Sequence, residues 1–204
     1  MHLSWLGTTA VKIQAKPFDE DVIIVIDPYR PDKGNFPRSL TPHIALFSRG
    51  DTDAITLSGD PFVLATPGEC EVKGVLITSI PSKEEGKTLL RLDTEQLSVA
   101  HLGLVNHDLL ASELEALGDV DILFVPVGGN GTYDAEAAVK AVSAIEPKIV
   151  IPMAYQSDND PSFAAVTTFL KEMGTTSDSE EKKIIIKKKD LPMDETKVMV
   201  LGKE

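Results

Sequence analysis

The stretch Ile44-Ala-Leu-Phe-Ser48-Arg49-Gly50-Asp51-Thr52-Asp53-Ala54 joins a short apolar run to a polar loop. The apolar run is typical of a buried β-strand. The loop that follows carries two carboxylates, Asp51 and Asp53, and the guanidinium of Arg49. One interpretation of the carboxylates is a site for a hard cation such as Mg²⁺ or Ca²⁺. The other is an Asx-type turn, in which each carboxylate accepts local backbone N–H groups.

Similar apolar runs recur on both sides of this stretch, between turn signals, and they predict further strands. The predicted helices lie in the second half of the chain. They are a short one opened by a capping box at Ser112-x-x-Glu115, one from Ala135 to about Ile145 capped by Asp134, and one from Ser162 to Met173 opened by Asp160 and Pro161. Strands followed by alternating strands and helices predict an α/β or α+β sandwich.

The composition describes a moderately apolar and strongly acidic chain. With 204 residues and 42% hydrophobic content, residues 1–204 are expected to form a single domain. The net charge of −12 disfavours a nucleic-acid partner. No apolar run approaches the roughly 18 residues of a membrane span, and no signal peptide is recognisable, so no membrane association is expected. The single cysteine, Cys70, rules out an internal disulfide and fits a cytoplasmic location.

Six segments, covering about residues 1–155, resemble successive motifs of metallo-β-lactamase-fold proteins, in the ascorbate-6-phosphate-lactonase-like, zinc-dependent hydrolase branch. The resemblance implies a four-layer αββα sandwich. The segments are His2–Ile13, which resembles the first hairpin, Val22–Pro28, Thr66–Val75, Ala100–Leu104, Asp119–Gly129 and Ile149–Tyr155.

The departures from the family pattern fall on its metal ligands. Where the family has His-x-His-x-Asp-His, this chain has Arg49, Asp51, Asp53 and Ala54. A further Asp and a further His of the family are replaced here by Leu104 and Ala154. A catalytic zinc site usually needs about three ligands from His, Cys or carboxylate. The sequence therefore predicts that the family's metal site is lost, with no cofactor and no metal ligand.

The replaced metal ligands favour the first of two candidate functions. The first is a binding, regulatory or structural protein without hydrolase activity. The second is a divalent-metal-dependent hydrolase of a small ester, lactone or phosphoester, with zinc or another divalent cation in a rebuilt site of Asp27, Asp51, Asp53 and His101. Fold alone does not decide between them.

The residues expected around the family's cleft divide into charged and glycine-rich groups. Arg49 is interpreted either as an anchor for an anion or as an internal partner of Asp53 or Asp27 that replaces the metal's charge. The glycine-rich segment after a strand, around Asn130 and Thr132, offers backbone N–H groups to an anion. A small anionic ligand is therefore an expected partner, and the resemblance to the family implies that the chain can form a homo-oligomer. The predicted cleft residues are Asp27, Arg49, Asp51, Asp53, Glu69, His101, Asn130 and Thr132.

Overall fold

A computed structural model describes residues 1–176, 181–193 and 195–204. The strands in these residues are β1 (His2–Gly7), β2 (Ala10–Ala15), β3 (Val22–Ile26), β4 (Ser39–Leu40), β5 (Ile44–Leu46), β6 (Thr56–Leu57), β7 (Phe62–Leu64), β8 (Gly68–Val72), β9 (Val75–Pro81), β10 (Thr88–Thr94), β11 (Leu97–His101), β12 (Ile122–Pro126), β13 (Ile149–Met153), β14 (Ile184–Ile185) and β15 (Lys197–Val198). The α-helices are α1 (Ala111–Leu117), α2 (Ala135–Ile145) and α3 (Val166–Glu172), and a 3₁₀ turn covers Lys188–Asp190.

Most strands belong to two mixed sheets. The first has the order β14-β1-β2-β3-β5-β7 and the second the order β15-β13-β12-β11-β10-β9-β8. In the first sheet β1, β2 and β3 are antiparallel neighbours, whereas β3, β5 and β7 run parallel. In the second sheet the meander from β8 to β11 is antiparallel and β11, β12, β13 and β15 are parallel.

The main core joins the inner faces of both sheets. Strands β5, β11, β12 and β13 are buried along their whole length, as expected of strands covered on both faces. Helix α2 buries Ala138, Ala141, Val142 and Ile145, a helical spacing that places one apolar stripe against β12. The mixed α/β sandwich predicted from the sequence is confirmed.

Two predicted helix starts are wrong. Helix α1 begins at Ala111, and the carboxylate of Glu113, rather than that of Glu115, accepts the backbone N–H of Leu110 at 2.7 Å. Helix α3 begins at Val166 instead of Ser162. The backbone N–H of Ala164 donates to the carbonyl of Gly128 at 2.8 Å, which holds the preceding residues out of a helical path.

The topology brings several loops to one end of the first sheet. Asp27 directly follows β3, and Ser48 and Arg49 follow β5, so these residues lie at the carboxyl ends of two parallel strands. The turn between β1 and β2, with Thr8 and Thr9, also lies at this end. No helix in the described part of the chain is long and apolar enough to cross a bilayer.

Candidate functional site

A cleft of about 620 Å³ opens among these loops. It is bounded by the β1–β2 turn, the residues after β3 and β5, and the pair Asn159 and Asp160. Its lining is mostly polar, and its charged members are Asp27, Arg30, Asp32, Arg49, Asp53 and Asp160. Four carboxylates and two guanidinium groups therefore share one concave surface.

Asp27 joins the two parallel strands that end at the cleft. It is buried and has a φ of 50°, a left-handed conformation that Asp adopts more readily than most residues. Its Oδ1 accepts the backbone N–H of Ser48 at 2.7 Å, and its Oδ2 accepts the Ser48 hydroxyl at 2.6 Å. Because both oxygens already accept internal hydrogen bonds, Asp27 acts as a structural link in this arrangement.

Arg49 lies on the cleft wall beside Tyr29. Its Cζ is 3.8 Å from the centroid of the Tyr29 ring, and its Nη1 is 3.5 Å from Asp53 Oδ2. The Tyr29 hydroxyl accepts the backbone N–H of Arg49 at 3.0 Å and donates to the carbonyl of Gly50 at 2.9 Å. Burial raises the pKa of Tyr29, so its hydroxyl keeps its proton. The Arg49 and Asp53 side chains remain 37% and 66% exposed, so their ion pair lies at the rim.

His101 lies behind the cleft and is fully buried. Its Nε2 is 2.9 Å from the carbonyl oxygen of Thr9, and its Nδ1 is 3.2 Å from the backbone nitrogen of Gly103. This pattern fits a neutral ring that donates from Nε2 and accepts at Nδ1. Burial lowers its pKa, which favours the same form. The contact with Thr9 links β11 in the second sheet to the β1–β2 turn in the first.

Thr8 and Asp160 meet across the cleft. The Thr8 hydroxyl donates to Asp160 Oδ2 at 2.7 Å, and both side chains are partly exposed. Burial raises the pKa of Asp160, although hydrogen bonds from Thr8 and Ser157 oppose that effect. This pair was not predicted from the sequence. Its only sequence signals are a Thr-Thr turn after Gly7 and an Asp that was interpreted as a helix start.

A hydrogen-bonded rim closes one side of the cleft. The Asn159 side-chain amide donates to the carbonyl of Lys33 at 2.7 Å, and Asp158 Oδ2 accepts the backbone N–H of Asn35 at 2.8 Å. Asn159 is 7% exposed, and its Oδ1 has no hydrogen-bond partner among the described residues. A side chain at Gly7 would collide with that oxygen, because Gly7 packs directly against it.

The predicted site residues that lie outside the described lining of the cleft are five: Asp51, Glu69, His101, Asn130 and Thr132. Asp51 is exposed on the loop after β5, and Glu69 is exposed on β8. The Asn130 amide donates to the Ser162 hydroxyl at 3.2 Å on the surface. Thr132 is buried and donates to the carbonyl of Val105 at 2.9 Å. The structure therefore brings Asp27, Arg49 and Asp53 together at the cleft, with His101 behind them.

Comparison with known proteins places this arrangement in a family. Residues 2–154 match the model of the beta-lactamase superfamily domain. A UPF0173 metal-dependent hydrolase of Methanopyrus kandleri is 24% identical over 200 residues, covering 76% of this chain and 84% of the relative. One of Pyrococcus abyssi is 30% identical over 126 residues, covering 56% of this chain and 55% of the relative.

Solved structures give the same result. A protein of Thermotoga maritima, described as a proposed Zn-dependent hydrolase of the metallo-β-lactamase superfamily, aligns with a TM-score of 0.81 and 25% identity over 98% of both chains. The metallo hydrolase Igni18 of Ignicoccus hospitalis aligns with a TM-score of 0.65 and 17% identity, over 91% of this chain and 99% of that one, which shows the fold alone. The chain belongs to the beta-lactamase superfamily, and its fold is of the metallo-β-lactamase type.

These matches correct two predictions made from the sequence. The prediction of a protein without hydrolase activity is contradicted, because the relatives are named metal-dependent hydrolases. The prediction of no metal cofactor is contradicted by the same names. Both predictions gave the replaced ligands more weight than the retained scaffold.

The residues at the family's ligand positions nevertheless do not fit the family's metal. Leu104 and Ala154 have no donor atom, Arg49 is a cation, and Asp53 is paired with Arg49. The rebuilt set of Asp27, Asp51, Asp53 and His101 does not converge either, because Asp51 and His101 lie outside the cleft lining and both ring nitrogens of His101 contact backbone groups. In the described residues no group of three or more His, Cys, Asp or Glu side chains is placed to hold a metal ion.

Proposed function

We propose that this protein is a hydrolase of a small ester, lactone or phosphoester, and that the reaction takes place in the cleft at the ends of β3 and β5. The observation that carries the proposal is the meeting of a hydroxyl, a carboxylate and guanidinium groups in that cleft, from Thr8, Asp160, Arg30 and Arg49. These are the group types that hydrolysis uses for attack, proton transfer and stabilisation of negative charge. The names of the relatives support the same class of reaction.

The roles of the charged groups follow from their placement. Arg30 and Arg49 supply the positive charge of the cleft lining, and they would bind a single carboxylate of a small anionic substrate or stabilise negative charge that develops during hydrolysis. Asp27 holds the ends of β3 and β5 together, so its role is to keep the cleft walls in place. We further propose that the protein is cytoplasmic and that it self-associates. The single cysteine supports the cytoplasmic location.

The test is a hydrolysis assay on the purified full chain. The substrates are para-nitrophenyl acetate, a small lactone, para-nitrophenyl phosphate and bis-para-nitrophenyl phosphate. Each is assayed with added Zn²⁺, Mn²⁺ or Mg²⁺ and again after chelation, so that dependence on a cation is measured directly. Turnover of at least one substrate class under either condition supports the proposal, and its absence under all of them contradicts it.

A matched pair of variants tests the location. Thr52 lines the cleft and Thr56 lies exposed on β6, outside the described lining. Thr52→Trp is expected to obstruct the cleft and remove most of the activity, whereas Thr56→Trp is expected to retain it. Equal activity in the two variants would contradict this location.

A further inference from the structure

Thr8 has a backbone conformation that is unusual for a threonine. It has a φ of 47°, and a β-branched residue in the left-handed region is a steric outlier. The surrounding structure maintains this conformation, because the Thr8 carbonyl accepts the indole N–H of Trp5 at 2.9 Å and the backbone N–H of Ala154 at 2.8 Å. Strained residues that are held this firmly cluster at functional sites.

The side chain of this residue is paired with a carboxylate. The 2.7 Å between Thr8 Oγ1 and Asp160 Oδ2 lies within the range that joins a nucleophile to its base. Asp160 is itself positioned, since its backbone N–H donates to the Ser157 hydroxyl at 3.3 Å. Both residues line the cleft. The raised pKa of Asp160, caused by burial, makes its carboxylate a better proton acceptor than an exposed aspartate.

We propose that Thr8 is a nucleophile and Asp160 its general base, in the hydrolysis of a carboxylic ester or lactone. This inference rests on the proposed function and narrows its substrate class. The cleft holds four carboxylates against two guanidinium groups, which disfavours a phosphate dianion and favours a substrate with a neutral carbonyl. Neither residue lies at a position of the family's metal motif.

The reaction proceeds in two balanced steps. Thr8 Oγ1 forms a bond to the carbonyl carbon while its proton passes to Asp160, and the ester C–O bond breaks. Asp160 returns that proton to the departing alkoxide, which leaves as an alcohol or, from a lactone, stays tethered to the acyl group. In the second step water attacks the acyl carbon and gives a proton to Asp160. The bond between the acyl group and Thr8 breaks, and Thr8 Oγ1 recovers the proton from Asp160.

The experiment combines kinetics with trapping of the acyl group. Thr8→Val keeps the branched shape and removes the hydroxyl, Thr8→Ser restores a hydroxyl, and Thr56→Val is the control outside the cleft. With para-nitrophenyl acetate, Thr8→Val and Asp160→Asn are each expected to lower kcat by about 10²-fold or more, while Thr8→Ser keeps part of the activity. Wild type should lose activity as the pH falls through the pKa of Asp160. The residual activity of Asp160→Asn should not show this decline on the acidic side of its pH profile.

Mass spectrometry of the quenched reaction tests the nucleophilic role of Thr8 separately from the hydrolase activity. An acetyl group on the peptide that contains Thr8, absent in Thr8→Val, supports the nucleophile even where turnover is too slow to measure. If wild type turns over the substrate and Thr8→Val is equally active, the nucleophilic role of Thr8 is refuted, whereas the proposed hydrolase activity is retained. No acetyl group at Thr8, or acetylation of another residue with Thr8 unmodified, also overturns it. Circular dichroism and thermal melting of each variant exclude a loss through unfolding.

Discussion

The guanidinium of Arg49 lies partly exposed between the face of the Tyr29 ring and the carboxylate of Asp53. Exposed ion pairs and exposed cation–π contacts each contribute about 1 kcal/mol or less. We expect Arg49→Ala to lower the free energy of unfolding by about 1 kcal/mol, and less at high salt. Urea denaturation at two salt concentrations measures this. A loss of several kcal/mol would show that the guanidinium compensates a buried carboxylate.

Asp27 presents the opposite situation at the same cleft. It is buried, and its carboxylate accepts both the N–H and the hydroxyl of Ser48. Asp27→Ala would leave these donors without a partner, so we expect a loss of about 2–4 kcal/mol. The same urea denaturation provides the measurement, and Asp53→Ala at the exposed rim is the control. Similar losses in the two variants would contradict the structural role of Asp27.

At the scale of the element, helix α1 depends on one buried carboxylate. Glu113 is 1% exposed and accepts the backbone N–H groups of Lys83 at 3.0 Å and Leu110 at 2.7 Å. Its carboxylate also contacts His107 Nε2 at 3.0 Å. Glu113→Ala should therefore lower the free energy of unfolding by about 3 kcal/mol or more.

The control for this prediction is Glu115→Ala, on the exposed face of the same helix. It should change the free energy of unfolding by less than about 0.5 kcal/mol. Thermal melts of the two variants distinguish the observed cap from the one expected from the sequence. A larger effect at Glu115 would favour the capping box at Ser112.

The elements that the sequence predicted best are those with a strong local pattern. Helix α2 was found because Asp134 caps it and its apolar residues recur at helical spacing. The start of α3 was misplaced because the bond from Ala164 to Gly128 joins distant segments and leaves no local signal. The short strands β4 and β6 were missed because two residues carry no periodicity.

The residues of the candidate site, like the helices and strands, could be predicted only where a local sequence pattern indicated them. Asp27, Arg49 and Asp53 could be predicted because each directly follows a recognisable strand or matches a family motif. The pair of Thr8 and Asp160 could not, since the two residues are 152 positions apart and meet only through the packing of two loops. Glu69, Asn130 and Thr132 were chosen for their motifs, which gave no information on which way their side chains point.

At the scale of the whole molecule, His101 connects the two sheets through the carbonyl of Thr9. Burial holds its pKa below the ordinary value of 6.5. A group whose pKa is lowered by folding adds stability above its unfolded pKa, and that stability is lost as the pH falls through the folded pKa. We therefore expect the free energy of unfolding to decline as the pH falls below about 6.5, with a shallower decline in His101→Gln.

The measurement is urea denaturation at several pH values between neutral and mildly acidic. His43→Gln serves as the control for removal of a histidine, since His43 lies just before β5 and accepts the backbone N–H of Ile23 on β3. Parallel pH profiles for wild type and His101→Gln would show that another group is responsible for the decline.

The rim formed by Asp158 and Asn159 has a consequence for the motion of the cleft. These neighbours hold the loop around Lys33 and Asn35, and Lys203 near the carboxyl end of the chain binds Asp158 as well. Three segments far apart in sequence thus share one small hydrogen-bond network. Segments coupled in this way open as a cooperative unit. The backbone amides of Asn35 and Asp160, which donate to Asp158 and Ser157, should then exchange with deuterium at a common rate, and the opening of this rim would control substrate entry.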